Sequence, residues 1–557
     1  MPVLLWNAIP DSRIPIGGLL VLYAVALGWQ AWRVGITFDE PSHLAAGAMY
    51  WQRQDTLHPS DTPPLMRLIS GWAPHALGIP LPVDSEAWKT QSSFEIGPEI
   101  LRRLDRPRAR ELFYVARLTL LVFPLLTVWL VWHWARLLFG HGIALILAAG
   151  AAMEPTSLAH GSLLKSDAAA AFGCLLFAYS AWRYWRRPGL PGAAGITLAL
   201  LVAVLAKFTL LVLIPVGVAL VAWRGPRLAG AGLVLGGAYL GIIAGYQFHQ
   251  LRPLRQEEFA QMRQEGFSVP EVAAARLLGR LPWPVQFIRG LRYIGSNHRQ
   301  QGFPAYMLGR RIEYAAPLYF PLALAIKFPI GLQVLSAAGL AATLARLARR
   351  QATAADAFLW LPAVLLLVLA LRSHIHIGFR HLLPVVPLLI LGTGFALARW
   401  GGLVAARIVV AGCLGWLAVA SAGIYPQGIS YFNEWIGGPA NGWKYLADSN
   451  LDWGQNLPEL ARYMSSEGVA TLKLYYFGSD QPGHYLPPDR LELQAAPWAP
   501  EWEKEKRLEP APGVYAVSVN SLLGYHFSPG YRDFFAGFQG RQPDARAGYS
   551  IHIYQVR

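Results

Sequence analysis

The sequence predicts a polytopic α-helical membrane protein with a small α/β domain outside the bilayer. Three observations predict it. Of 557 residues, 54% are hydrophobic and only 15% charged, where soluble proteins carry about 25% charged residues. The apolar residues gather in about eleven uncharged runs, each of a length suited to crossing a bilayer. The last part of the chain changes pattern, to alternating apolar and β-branched residues.

The runs lie at 14–35, 113–135, 138–154, 167–183, 190–207, 208–223, 228–248, 314–345, 357–372, 382–398 and 404–424. Several are rich in Ala and Gly, which lets membrane helices approach closely. The first run lacks a basic leader and a small-residue cleavage site, so it reads as a retained span. This pattern excludes a soluble enzyme with one or two cores, and equally a disordered or collagenous chain. Cys174 and Cys413 both fall inside apolar runs, which excludes a disulfide framework. The net charge of +15 fits a membrane protein better than a nucleic-acid binder, because Arg collects in cytoplasmic loops.

Orientation follows from the short loops. Arg136, Arg183, Arg186, Arg187, Arg224, Arg227, Arg346, Arg349, Arg350, Arg399 and Arg407 fall on one side; Lys165, Lys207, Arg372 and Arg380 fall on the other. The richer side is cytoplasmic by the positive-inside rule. A cell (inner) membrane protein with a cytoplasmic N-terminus is expected. Three large segments, 36–112, 249–313 and 425–557, then lie outside, and function is expected on that face. Residues 1–424 form the membrane domain. Residues 425–557 form the extracytoplasmic one, with a helix over 455–466 and strands over 471–477, 513–519 and 549–556.

The first outer loop begins Thr37-Phe38-Asp39-Glu40-Pro41-Ser42-His43. Two carboxylates just beyond a membrane helix offer a general base, because burial tunes their ionisation. Thr37 and Glu40 also fit a capping box, and Pro41 suits a first helical turn. Further along, His58 precedes Thr62-Pro63-Pro64, and Arg67 falls one turn into the next helix. Cations recur at the outer span ends: Arg117, Lys165, Lys207, Lys327, Arg372 and Arg380. Any one alone would snorkel to lipid phosphate. Six at one depth, facing inward, make a socket for a phosphate or pyrophosphate. No metal site is expected at His374, His376 and His381, because no carboxylate stands near them. In the late run Asp448–Gln455, Asp452 is expected to cap the helix near Leu457 and Trp453 to pack at the membrane surface, unless the run helps place an acceptor.

These pieces, in order, resemble the GT-C-fold glycosyltransferases that use lipid-phosphate-linked sugars, with the protein O-mannosyltransferases (dolichyl-phosphate-mannose-protein mannosyltransferases) and bacterial lipid A aminoarabinose transferases as nearest relatives. The matching stretches are 38–47, Pro63-Pro64-Leu65, Ala116-Arg117-Leu118, Glu154 to Asp167 with His160 between, Lys207, Lys327-Phe328-Pro329 and 380–387. The spacing Gly290, His298, Gly302, Tyr306, Gly309 and the runs 431–439 and 448–455 are similar to a bacterial branch. The resemblance covers the chain to about residue 470. It implies Asp39 as the base with Glu40 beside it, and a donor-phosphate site of Arg67, Arg117, Lys207, Lys327, Arg372 and Arg380. Around these it places His58, His160, Asp167, His298, Asp452 and Trp453 near the acceptor or behind the site. Thr62 departs from the family, which often has His before the Pro pair.

The resemblance implies an inverting transfer from a polyprenyl-phosphate sugar to a hydroxyl of a protein, lipid or glycan, without cofactor or metal and without nucleic acid. A transporter or flippase for a lipid-linked or anionic substrate is the rival. Such proteins often carry repeats and midplane polar groups, whereas here ionisable residues cluster on one face.

Overall fold

The computed structural model describes residues 14–53, 62–299, 304–312, 316–494, 510–524 and 529–557. The apolar runs are helical over most of their length. Five helices among the described residues are long and apolar enough to cross a membrane: Arg106–Phe139, Arg227–Gly245, Ile330–Ala348, Ala354–Leu371 and Val404–Ile424. The pair His141–Met153 and Pro155–Gly161, bent by 64°, makes a sixth if it counts as one span. Eleven spans are not confirmed among the described residues. Leu190–Ala206, Phe208–Trp223 and Val386–Trp400 are apolar but short. The run at 314–345 divides into Tyr319–Lys327 and Ile330–Ala348. Phe328 between them is extended (φ −78°, ψ 134°), because Pro329 disfavours helical backbone in the residue before it.

Small residues hold the bundle together. A Cβ on Gly173 would lie 2.6 Å from Ala203 Cα, so the helices Asp167–Arg186 and Leu190–Ala206 pack backbone to backbone. Short helices outside the long apolar ones carry the site: Glu40–Arg53, Ser93–Arg102 and Val285–Arg299.

The C-terminal stretch folds into a five-stranded mixed sheet. Its order is Leu491–Leu493, Leu472–Tyr475, Gly513–Ser518, Ile551–Val556, Ala545–Ala547. The first three strands run parallel and the last two pair antiparallel. Leu472–Tyr475, Gly513–Ser518 and Ile551–Val556 fall inside the predicted strand stretches, and Leu457–Ser466 is the predicted helix. The sheet is anchored to the helical body: Val519 and Leu523, just after its central strand, join the bundle's apolar core. Its contacts with residues 35–38 are described below.

Candidate active site

The turn leading into the Glu40–Arg53 helix places two adjacent carboxylates in opposite surroundings. Glu40 points into protein. Arg117 grips it with two bonds, Nε to Oε1 at 2.8 Å and Nη2 to Oε2 at 2.6 Å. The backbone N–H groups of Thr37 and Leu164 donate to it as well, each at 2.7 Å. Burial alone would raise the Glu40 pKa, but Arg117 and these donors hold it below the usual range. Arg117 also donates to the carbonyls of Ala31, Val34 and Gly35. This is a correction to the expected phosphate socket: the Arg117 guanidinium is occupied by Glu40 and backbone, and its side chain is 2% exposed.

Asp39 points the other way, onto the wall of a cavity of ≈ 1210 Å³. Lys165 Nζ lies 2.7 Å from its Oδ2 and 2.8 Å from His43 Nε2. Burial and the nearby Lys165 charge hold His43 well below its ordinary pKa. A neutral imidazole can accept the ammonium proton. For Asp39, burial opposes ionisation, but Lys165, then Arg380 and His43, draw its pKa down to about 2. Asp39 is therefore a carboxylate across the physiological range.

Asp39, Lys165, Asp167, Lys207 and Arg380 all line this cavity, with Arg372 on its wall toward solvent. Lys207 Nζ bonds Asp167 Oδ1 at 2.6 Å. Arg380 stands between the two carboxylates, 3.7 Å from Asp39 and 3.8 Å from Asp167. Both distances exceed hydrogen-bond length. Its Nε is held by Ser449 Oγ at 3.0 Å, and its guanidinium lies 4.4 Å from the centre of the Trp453 ring. Lys165, Lys207, Arg372 and Arg380 stand on the cavity walls with Asp39, Asp167, Glu271 and Asp448, four cations to four carboxylates. Leu210, Leu211, Leu366 and Leu369 line the same cavity and make it apolar.

Other expected residues fall elsewhere. Lys327 is a second correction: it is 1% exposed and donates to the carbonyls of Ile429, at 2.9 Å, and Asn450. It ties down the loop after the last long helix and does not line the cavity. Arg67 donates to the Thr62 carbonyl at 3.0 Å, while Thr62 and Pro63 reach the wall themselves. His160 is buried behind the wall, its ring 5.7 Å from that of Trp453. Trp453 is buried, not at a membrane surface, and lines the cavity. Asp452 does not cap the Leu457 helix. It accepts the N–H groups of Asn520 and Gly454, and burial pushes its pKa up to about 7. His58 and the side chain of His298 lie outside the described residues.

Two features carry little signal in the sequence. Lys165 reads there as one cation among six, yet in the fold it is the direct partner of Asp39. The second is the clamp on the turn before Asp39, supplied by the C-terminal segment. Gly35 N–H donates to the Gln455 carbonyl at 3.0 Å and Phe38 N–H to the Trp453 carbonyl at 2.8 Å. Ile36 N–H donates to Asp480 Oδ2 at 3.1 Å, which also accepts the Tyr485 hydroxyl at 2.8 Å. A Cβ at Gly35 would lie 2.7 Å from the Gln455 carbonyl oxygen, so only glycine allows this approach. Asp480 is buried, which pushes its pKa up to about 6.

No family model and no curated protein matches the sequence. Solved structures similar to it include ArnT from Cupriavidus metallidurans bound to undecaprenyl phosphate (13% identity, 97% of this chain and 98% of that one, TM-score 0.46). The same protein in the apo state is similar at 14% identity over 96% and 97%, with a TM-score of 0.44. An Archaeoglobus fulgidus oligosaccharyltransferase, solved with Zn and sulfate, is similar at 14% identity over 80% of this chain and 55% of its own, with a TM-score of 0.37. Likenesses at this identity assign no residue a role.

Proposed function

We propose that this chain is an inverting GT-C-type glycosyltransferase that moves a sugar from a polyprenyl-phosphate donor to an acceptor hydroxyl at the outer face of the membrane. One observation carries the reading. A single cavity joins an ionised carboxylate, a row of cations and an apolar wall, the three surfaces that a hydroxyl, a phosphate and a lipid tail require. The donor's tail lies along Leu210, Leu211, Leu366 and Leu369. Its phosphate is held by Arg380, Lys207 and Arg372.

The chemistry follows from charge. The acceptor oxygen attacks the anomeric carbon and forms the new bond. The bond from that carbon to the phosphate oxygen breaks, and its electron pair leaves with the polyprenyl phosphate. The acceptor proton goes to Asp39. The leaving phosphate gains negative charge as the bond breaks, and cations fixed on the cavity wall stabilise that growth. A phosphate that draws Lys165 and Arg380 toward itself also removes the charges that depress Asp39, so donor binding strengthens the base. Attack opposite the leaving group inverts the anomeric centre.

The excess of Arg and Lys on one side supports a cytoplasmic N-terminus, with 425–557 as an extracytoplasmic domain beyond the membrane domain 1–424. Comparing lipid-linked sugars and glycoconjugates by mass spectrometry, in cells with and without the gene, tests the reading. An intact donor accumulates and one class of glycoconjugate disappears if it holds. Unchanged profiles overturn it.

A further inference from the structure

A transferase needs two entrances, and the donor accounts for one. Phe94, on the Ser93–Arg102 helix, lines both the cavity of Asp39 and a separate groove of ≈ 830 Å³ on the outer loop. Phe94 is therefore a wall common to the groove and the cavity. Its walls carry Glu86, Lys89, Glu95, Glu99, Arg102 and Arg103, three charges of each sign. Several of these are already paired: Lys89 with Glu86 at 2.5 Å, Arg102 with Glu99 at 2.7 Å and Arg103 with Glu99 at 2.8 Å. A balanced groove gives no net attraction to a polyanion or a polycation. It offers many donors and acceptors to a neutral polyhydroxyl compound.

The junction has a second chemistry. Phe38, next to Asp39, stacks on Phe477 with ring centres 5.0 Å apart and planes at 11°. Both line the cavity, as does Phe94, which is 44% exposed. Aromatic faces carry negative potential, which suits the weakly positive C–H face of a sugar ring while its hydroxyls turn to the charged walls. The groove walls among the described residues are helices and turns, with no strand edge for an extended peptide to pair with.

We infer that the groove and its phenylalanine junction bind the acceptor, and that the acceptor is a neutral saccharide whose ring stacks at Phe94 and presents a hydroxyl to Asp39. This rests on the transferase reading above and names its second substrate.

The test uses the full chain in lipid nanodiscs with polyprenyl-phosphate sugars extracted from the source membranes. Three probes compete as acceptors: fluorescently labelled neutral oligosaccharides, a Ser/Thr-rich peptide and vesicles carrying an anionic glycolipid. Release of polyprenyl phosphate is scored separately from transfer. The expected result is transfer to a neutral oligosaccharide, with Phe94→Ala raising acceptor KM about tenfold, the loss of one aromatic contact, and Phe94→Trp restoring it. Transfer confined to the peptide or the anionic lipid overturns the inference, as does an unchanged acceptor KM in Phe94→Ala. If no donor releases polyprenyl phosphate, the transferase reading itself falls, and the inference with it.

Discussion

Lys165 Nζ lies 2.7 Å from Asp39 Oδ2 and 2.8 Å from His43 Nε2, so one ammonium joins the carboxylate to the helix that Glu40 begins. Asp39→Asn keeps the shape and removes the base. Its turnover is expected to fall about 10²–10⁴-fold with folding and donor binding retained, measured as single-turnover sugar transfer. Turnover near the wild-type rate would place the base elsewhere.

Glu40 behaves differently because the carboxylate itself is fully buried on Arg117, whereas Asp39 faces the cavity and keeps 16% of its side chain exposed. Glu40→Gln leaves the Arg117 charge uncompensated in the protein interior, which costs about 3–5 kcal/mol. Thermal unfolding in detergent should show this as a large fall in Tm. A stable variant without activity would instead make Glu40 a reacting group.

The two kinds of outer-end cation separate by the same logic. Arg380→Ala and Lys207→Ala, on the cavity wall, are each expected to weaken donor use by about 1.5–3 kcal/mol, the scale of a charged hydrogen bond, read as donor kcat/KM. Lys327→Met is expected to lower Tm and leave donor KM in place, because Lys327 holds the carbonyls of Ile429 and Asn450. A rise in donor KM for Lys327→Met alone would reverse the assignment.

Stability should depend on pH through Asp480 and Asp452. Burial raises them from 3.8 to about 6 and about 7, so the folded state holds protons that the unfolded chain has released. Their contribution is full below pH 3.8 and is lost as pH rises through about 6 and about 7. Asp480→Asn and Asp452→Asn should each flatten the fall of Tm across that window. Tm curves parallel to wild type would show that neither group titrates there.

Topology gives a fifth check. A periplasm-active reporter fused after Arg557 should be active, and a cytoplasm-active one silent. The opposite pattern would invert the orientation.

The helices were largely legible in the sequence, because an apolar run bounded by charges has few alternatives to a helix. The division at Phe328 was written in Pro329 but hidden by the continuous apolar run around it. At the site, the sequence showed the depth of each cation but not the direction of its side chain. Arg117 and Lys327 matched Lys207 and Arg380 in depth. Their carbonyl partners, at Ala31, Val34, Gly35, Ile429 and Asn450, come from distant parts of the chain and have no signature in side-chain identity. The pairing of Lys165 with Asp39 was hidden for the same reason. The clamp of Gln455, Trp453 and Asp480 on residues 35–38 is made mostly of backbone, which no residue pattern announces.

That clamp has a consequence for biogenesis. Domains generally form as the chain emerges, N-terminal part first; the turn carrying Asp39 is bonded by Arg117, Leu164 and Lys165, but its last fixing bonds come from residues 453–480. The proposed base is therefore set in place after nearly the whole chain has been synthesised and inserted. A nascent or truncated molecule can bind lipid through its early helices while it lacks an ordered catalytic turn. Arrest of synthesis before Asp480 should yield an inert membrane protein, and competence should arrive late, in one step, when the last segment docks.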